Sequence, residues 1–307
     1  MTDLLHNLDW VLPLRTPALT SLAFGLSWLG YSTFIMFFMA VGYWTWSKAI
    51  FFRVMLLVAF SAVLNAYVKD LFQDPRPPLS IRLDDLVGTS YGLPSGHAQL
   101  AVVIWMWLAY ELKRKWAWVL CALIALGVML SRLYLGAHDV EDVLAGAVLG
   151  SLTLVAFARI KDRKWSWQDD PVYSLALIAL VTAAAMITWP DKGIAPVYVP
   201  TLAGWMAGGI VGLRCEERVL GFSASPIWWR KALAAVIGAV AFIALQKILK
   251  LAGASLNPPP LAWEAVKGLI AGFFIALPVP WMLAKLQLVA KRPSGQLGRM
   301  GKYSSVT

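Results

Sequence analysis

The sequence predicts an all-α fold, a polytopic membrane helical bundle of about nine transmembrane helices, on three observations. Hydrophobic residues fill 59% of the 307 positions and charged residues 14%, against roughly 45–50% and about 25% in a soluble domain. The mean hydropathy is +0.66, and the 16 tryptophans suit a chain that meets membrane–water interfaces. Nine mainly apolar runs, each near the roughly 20 residues a span requires, lie at 17–46, 50–71, 96–112, 116–134, 140–159, 171–189, 197–214, 230–250 and 262–285.

Ahead of the first run, residues 1–16 hold Asp3 and Asp9 and no basic lead-in to an apolar stretch. This predicts a short interfacial segment rather than a cleaved signal peptide. Residues 17–160 form a core with three polar motifs, 161–290 add C-terminal spans, and 291–307 make a basic cytoplasmic tail. Between the second and third runs, QDPRPPLSIRLDDLVGTSYGLPSG is rich in helix breakers and predicts a loop. Loops held by a rigid scaffold are where chemistry gathers.

If the spans alternate, 18 of the 27 basic residues fall on one side, among them Lys113, Arg114, Lys115, Arg163 and Lys164. That side is cytoplasmic by the positive-inside rule. The N-terminus and the 72–95 loop are then outside and the C-terminus inside, in a bacterial cytoplasmic (inner) membrane. The formal charge of +10 does not point to nucleic acid, because the basic residues sit in short clusters between spans instead of along one face. Cys121 and Cys215 have no metal-type spacing. The runs after residue 170 do not repeat earlier motifs, so there is no inverted repeat of the transporter kind.

Three segments place polar residues at span ends, where they are costly and usually functional. KDLFQDPRP carries Lys69 and Arg76, YGLPSGH carries Ser95, Gly96 and His97, and SRLYLGAHDVED carries Arg132, His138 and Asp142. All three lie on the outer side of the predicted topology, so a bundle can bring them together. Lys69, Arg76 and Arg132 supply three positive charges, and an arginine fork matches tetrahedral oxyanions. Pro94-Ser95-Gly96 opens a helix whose N–H groups suit an anion. Phosphate is the natural guest.

Two of the chain's three histidines lie in these segments. His138 and Asp142 are four apart, hence on one helix face. Asp142 can accept from one ring nitrogen of His138 and leave the other to attack phosphorus. His97 remains to protonate the leaving oxygen.

The pattern Lys69-x6-Arg76-Pro77, Pro94-Ser95-Gly96-His97 and Ser131-Arg132-x5-His138-x3-Asp142 resembles the three-part signature of the type 2 phosphatidic acid phosphatase and vanadium haloperoxidase superfamily. The resemblance covers about residues 15–160. It implies a metal-independent lipid phosphatase without a cofactor. His138 would form a phosphohistidine assisted by Asp142, His97 would be the general acid, and Lys69, Arg76, Ser95, Gly96 and Arg132 would bind phosphate. Tyr91-Gly92, Ser131-Arg132-Leu133-Tyr134 and the extra spans are similar to sphingoid-base phosphate phosphatases. The expected partners are the bilayer and a lipid monophosphate or diphosphate, undecaprenyl diphosphate being one specific alternative. A vanadium haloperoxidase fits less well, since those enzymes are soluble in general. A lipid transporter or flippase that keeps the phosphate pocket is the alternative from another class, and the presence of both histidines favours the enzyme. The resemblance assigns nothing to the spans after residue 170.

Overall fold

The computed structural model describes residues 5–85, 88, 90–162, 170–191, 193 and 196–291. The predicted tail at 292–307, and with it Arg292, Arg299 and Lys302, lies outside these residues, as do Arg163, Lys164 and Lys192. Among the described residues there are twelve α-helices, and the only β pairing is an isolated antiparallel bridge between Ser223 and Ala290. They are α1 Pro17–Trp28, α2 Ser32–Thr45, α3 Lys48–Phe72, α4 Gly96–Ala101, α5 Trp107–Leu112, α6 Lys115–Tyr134, α7 Val140–Asp162, α8 Pro171–Thr188, α9 Tyr198–Val219, α10 Trp228–Leu256, α11 Pro260–Ala276 and α12 Pro278–Lys285.

Among the described residues, six helical segments are long and apolar enough to cross a membrane, or seven if the bent pair α1 and α2 is one span. This is fewer than the nine expected from apolar runs, for local reasons. The 17–46 run is broken at Leu29–Tyr31 and bends by 56°. The 96–112 run is α4 and α5 joined through a π turn at Val102–Met106, shorter than a span requires. In α9, Pro200, the glycines at 204, 208, 209 and 212, and Arg214 dilute the apolar content.

The contacts divide the chain into two compact units. The first contains residues 1–39, 53–168 and 180–199. Its helices start and stop for identifiable reasons. Thr16 caps α1 by accepting from Leu19 N at 3.3 Å, with Pro17 at the first helical position, a cap worth about 1 kcal/mol. The α3 helix ends at Gln73, whose φ is +53°, and Pro75, Pro77 and Pro78 prevent its resumption. Gly136, with φ +64°, turns the chain after α6, a conformation that a side chain disfavours. Asp139 and Asp142 close a reciprocal box at the start of α7. Asp142 N donates to Asp139 Oδ1 at 2.9 Å, and Asp139 N lies 3.4 Å from Asp142 Oδ2.

The helices α4, α6 and α7 pack on one another and α1 packs on α6. Gly146 of α7 faces the carbonyl of Ser95, so the two helices approach more closely than a side chain would permit. Residues 9–14 form a 3-10 helix. Leu8 and Val11, three apart and therefore on one face of such a helix, are buried with Ala98, Leu133 and Val143. Trp10, Leu12 and Leu14 remain exposed.

The second unit contains residues 40–52, 169–179 and 200–307. In it, Gly204, Gly208 and Gly212 of α9 meet the backbone around Gly268 and Gly272 of α11, the small-residue packing common between membrane helices. Lys48 Nζ pairs with buried Glu216 at 2.6 Å, and Trp44 Nε1 donates to Ile275 O at 2.9 Å.

Candidate active site

The first unit gathers the three polar motifs at one end of its helices: the C-terminal ends of α3 and α6, and the N-terminal starts of α4 and α7. Of the eight predicted site residues, Lys69, Arg76, Gly96, His97, Arg132 and His138 line one cavity of about 260 Å³. Ser95 and Asp142 are buried behind it.

His138 lies in the turn between α6 and α7. The carbonyl of Arg132 accepts from both Ala137 N, at 3.0 Å, and His138 N, at 3.4 Å, so the third motif is folded onto itself. The His138 imidazole is held at both nitrogens. Nδ1 lies 2.8 Å from Asp142 Oδ2, and Nε2 lies 2.9 Å from Arg76 Nη1. A guanidinium donates and cannot accept. Nε2 therefore carries the lone pair, and Nδ1 carries the proton donated to Asp142. Burial, and then the charges of Arg76, Lys69 and Arg132, hold the His138 pKa well below the ordinary imidazole value.

Arg76 is fixed by its other donors as well. Nε donates to Ser90 O at 2.5 Å, Nη2 to Ser90 Oγ at 2.9 Å and Nη1 to Ala137 O at 2.8 Å. Burial and the neighbouring Arg132 bring its pKa down to about 10. It remains cationic at neutral pH.

Lys69 Nζ donates to the carbonyls of Tyr91 and Gly92, at 2.6 and 2.7 Å. The 72–95 loop is thereby tied to α3, and the ammonium stays in the cavity wall. Ser95 accepts from Ala98 N at 3.5 Å, while its own N–H donates to Asp142 O at 2.8 Å. Its backbone donor joins α4 to α7 rather than facing the cavity. Beneath this turn Asn65 Nδ2 donates to Pro94 O at 3.2 Å and to Gln99 Oε1 at 2.8 Å.

Arg132 is buried and its Nη1 is already engaged, by Asp84 Oδ2 at 2.7 Å and Ser27 Oγ at 2.5 Å. Its Nε has no partner, so part of the fork is available to an anion. Asp84 also accepts from Tyr31 OH at 2.5 Å. The Tyr31 ring stands edge-on to His97, with centroids 4.7 Å apart. His97 Nε2 is buried without a hydrogen-bond partner, beside the space the three cations surround.

Tyr31, Ser32 and Ser90 line the cavity without having been predicted, and Asp84 and Ser27 fasten Arg132 from behind. The break between α1 and α2 is what delivers Tyr31 and Ser32. Tyr67 and Tyr134, aromatic residues near span ends, do not line this cavity. Tyr67 OH bonds to Thr188 O at 3.1 Å, and Tyr134 borders a separate, wholly apolar groove between α1 and α6.

A cavity with three cations, an imidazole lone pair held by a carboxylate and a second imidazole without a partner has the chemistry to bind phosphate and attack phosphorus. The chain is similar to known phosphatases. The chain is 30% identical over 152 residues to phosphatidylglycerophosphatase B of Bacillus subtilis, a match covering 45% of this chain and 73% of that protein. It is 28% identical over 185 residues to human sphingosine-1-phosphate phosphatase 2, covering 57% of this chain but less than half, 45%, of that one. A crystal structure of a transmembrane PAP2-type phosphatidylglycerolphosphate phosphatase from Bacillus subtilis aligns with TM-score 0.44 and 24% identity, over 52% of this chain and 84% of that chain. Residues 49–166, which hold all three motifs, match the PAP2 superfamily, and residues 200–292 match the transmembrane extension of PAP2 superfamily phosphatases. Residues 49–166 hold all eight of the expected site residues, while Tyr31 and Ser32 of the cavity wall lie ahead of them, and the chain belongs to the PAP2 superfamily of phosphatases.

Proposed function

We propose that the protein hydrolyses a lipid phosphate monoester at the outer face of a bacterial cytoplasmic membrane through a phosphohistidine on His138. The observation that carries this reading is the double restraint of His138, with Asp142 on Nδ1 and Arg76 on Nε2. It fixes the lone pair on Nε2, where it accepts from Arg76 at the wall of a cavity that Lys69 and Arg132 also line.

In the first step the Nε2 lone pair forms a bond to phosphorus as the bond from phosphorus to the lipid oxygen breaks. The departing oxygen takes a proton from His97 Nε2. The phosphorylated ring is cationic, and the Asp142 carboxylate balances that charge through Nδ1–H. In the second step water attacks phosphorus and gives a proton to His97. The N–P bond breaks with its electron pair returning to Nε2, and inorganic phosphate leaves. Lys69, Arg76 and Arg132, with Gly96 allowing close backbone approach, stabilise the charge on the equatorial oxygens. Ser95 supports this arrangement by capping α4.

The phosphatase core is the segment within 17–160, and the C-terminal extension is a separate element. The names of the relatives favour a glycerophospholipid or sphingoid-base monophosphate as substrate. The outer location is supported by the excess of basic residues at the opposite ends of the spans. Purified protein should release phosphate from a short-chain phosphatidate, and His138→Ala should not. Acid-labile, base-stable labelling from a 32P-lipid, absent in His138→Ala, would identify the intermediate. Equal turnover by both proteins would overturn the assignment. A membrane-impermeant thiol reagent should label Ser90→Cys from outside intact cells.

A further inference from the structure

The third histidine lies outside the signature yet is joined to it. His6 Nδ1 is 2.9 Å from Asp139 Oδ2, and its Nε2 is 3.2 Å from Glu141 Oε2. A neutral imidazole has only one N–H, so a ring facing a carboxylate at each nitrogen is satisfied at both only as imidazolium. Half of the side chain is exposed, so it exchanges protons with solvent. The groups facing it are Asp139 and Glu141 from the start of α7 and Asp74 from the loop after α3. Burial and Asp139 push the Asp74 carboxyl up, while His6 and Lys69 oppose the rise.

Asp139 is the cap of α7, and its other oxygen accepts from the backbone N of Asp142 at 2.9 Å. Asp142 in turn holds His138. The segment carrying His6 is itself fixed. Leu5 O accepts from Val140 N at 3.0 Å, Leu8 and Val11 are buried against Val143 and Leu133, and Arg15 Nη2 donates to Ile81 O at 2.6 Å and Tyr134 O at 3.1 Å. The N-terminal segment thus touches α6, α7 and the 72–95 loop, three elements that form the cavity.

We infer that His6, as an imidazolium bridging Asp139 and Glu141, is a positioning residue that holds the cap of α7 and through it the orientation of Asp142 and His138. Loss of its proton removes one of the two donors, loosens Asp139 and lets the Asp142–His138 pair drift. Turnover therefore falls as rising pH deprotonates His6. The inference rests on the roles proposed for His138 and Asp142.

The test is kcat and KM for dioctanoyl phosphatidate in detergent micelles between pH 5.5 and 8.5, for the wild type, His6→Gln, His6→Lys and His138→Ala. A misplacement of this kind costs roughly fivefold to tenfold in kcat. His6→Gln should show that loss at the acid end, with KM within about twofold and without the downward step the wild type shows as pH rises. His6→Lys, a cation that does not titrate in this range, should recover most of kcat and hold it to higher pH than the wild type. A His6→Gln profile superimposed on that of the wild type would overturn the inference. So would equal impairment of both His6 variants, which would point to shape alone. If His138→Ala is inactive and the His6 variants behave as wild type, only the role of His6 fails. If His138→Ala turns over normally, the nucleophile assignment fails first.

Discussion

Arg76 Nη1 stands 2.9 Å from Nε2 of His138, on the nitrogen whose lone pair faces the cavity. In the proposed reaction the guanidinium therefore occupies the approach that phosphorus takes. An incoming phosphate offers Arg76 charged acceptors in place of a neutral imidazole, and charge-assisted hydrogen bonds are about twice as strong. Binding and release of the nucleophile become one event.

From this follows a distinction between arginine and a simple positive charge at position 76. Arg76→Ala should lower kcat/KM about a hundredfold or more. Arg76→Lys should recover little of it, because an ammonium cannot span Ser90 O, Ser90 Oγ, Ala137 O and His138 at once. Steady-state phosphate release decides the matter, and full activity of Arg76→Lys would show that charge alone suffices.

Asp142→Asn keeps the shape of the residue but removes the charge that balances a phosphorylated, cationic His138. The loss should appear in kcat, about ten-thousandfold by analogy with the orienting aspartate of a serine protease, with KM changed less than about threefold. Single-turnover measurements on labelled lipid should show slow formation of the enzyme-bound phosphate. A variant with normal phosphorylation and slow dephosphorylation would move the role of Asp142 to the second step.

The side chains that the fold gathers round the cavity from the three motifs were legible in the sequence because each is charged or polar at the end of an apolar run, where chance composition seldom puts it. The residues that hold them were not. Tyr31 lies inside the long run 17–46, which no proline interrupts before its hinge at Leu29–Tyr31. A Cβ on Gly30 would run into the His97 ring, so the space at that bend is set by a helix distant in sequence. Asp84 is one of two adjacent aspartates in a loop without periodicity, and only the fold shows that it is the one buried on Arg132. The burial of Leu8 and Val11 was not legible, because a six-residue 3-10 helix gives too short a pattern to display a buried face.

The depressed pKa of His138 has a consequence for stability. In the unfolded chain an imidazole takes up a proton near pH 6.5, whereas in the folded protein burial, Arg76, Lys69 and Arg132 keep it neutral to a well lower pH. The unfolded state therefore binds more protons, and stability falls as pH drops below about 6.5, by up to about 1.4 kcal/mol per pH unit until His138 itself titrates. The same sign keeps the nucleophile in its basic form across mildly acidic pH. Thermal unfolding of detergent-solubilised wild type and His138→Ala at pH 7 and 5 should show the larger loss for the wild type. Equal losses would mean that His138 does not couple to folding in this window.

The pair of Arg132 and Asp84 is buried on both sides and joined at 2.7 Å, with Ser27 accepting from Arg132 and Tyr31 donating to Asp84. Removing one member of such a pair leaves the other charge buried, at a cost of about 3–5 kcal/mol. Asp84→Ala should lower stability by that order and, by freeing the Nη1 edge of Arg132 to swing, raise KM for the phosphate more than it lowers kcat. Asp84→Ala combined with Arg132→Met removes both charges. If the two residues act as a pair, the double variant should be less destabilised than the sum of the single ones by at least about 1 kcal/mol, although it should be the least active of the three. Additive losses in denaturant titrations would mean that Asp84 secures the 72–95 loop without holding Arg132, and the geometry of the phosphate-binding fork would then need another cause.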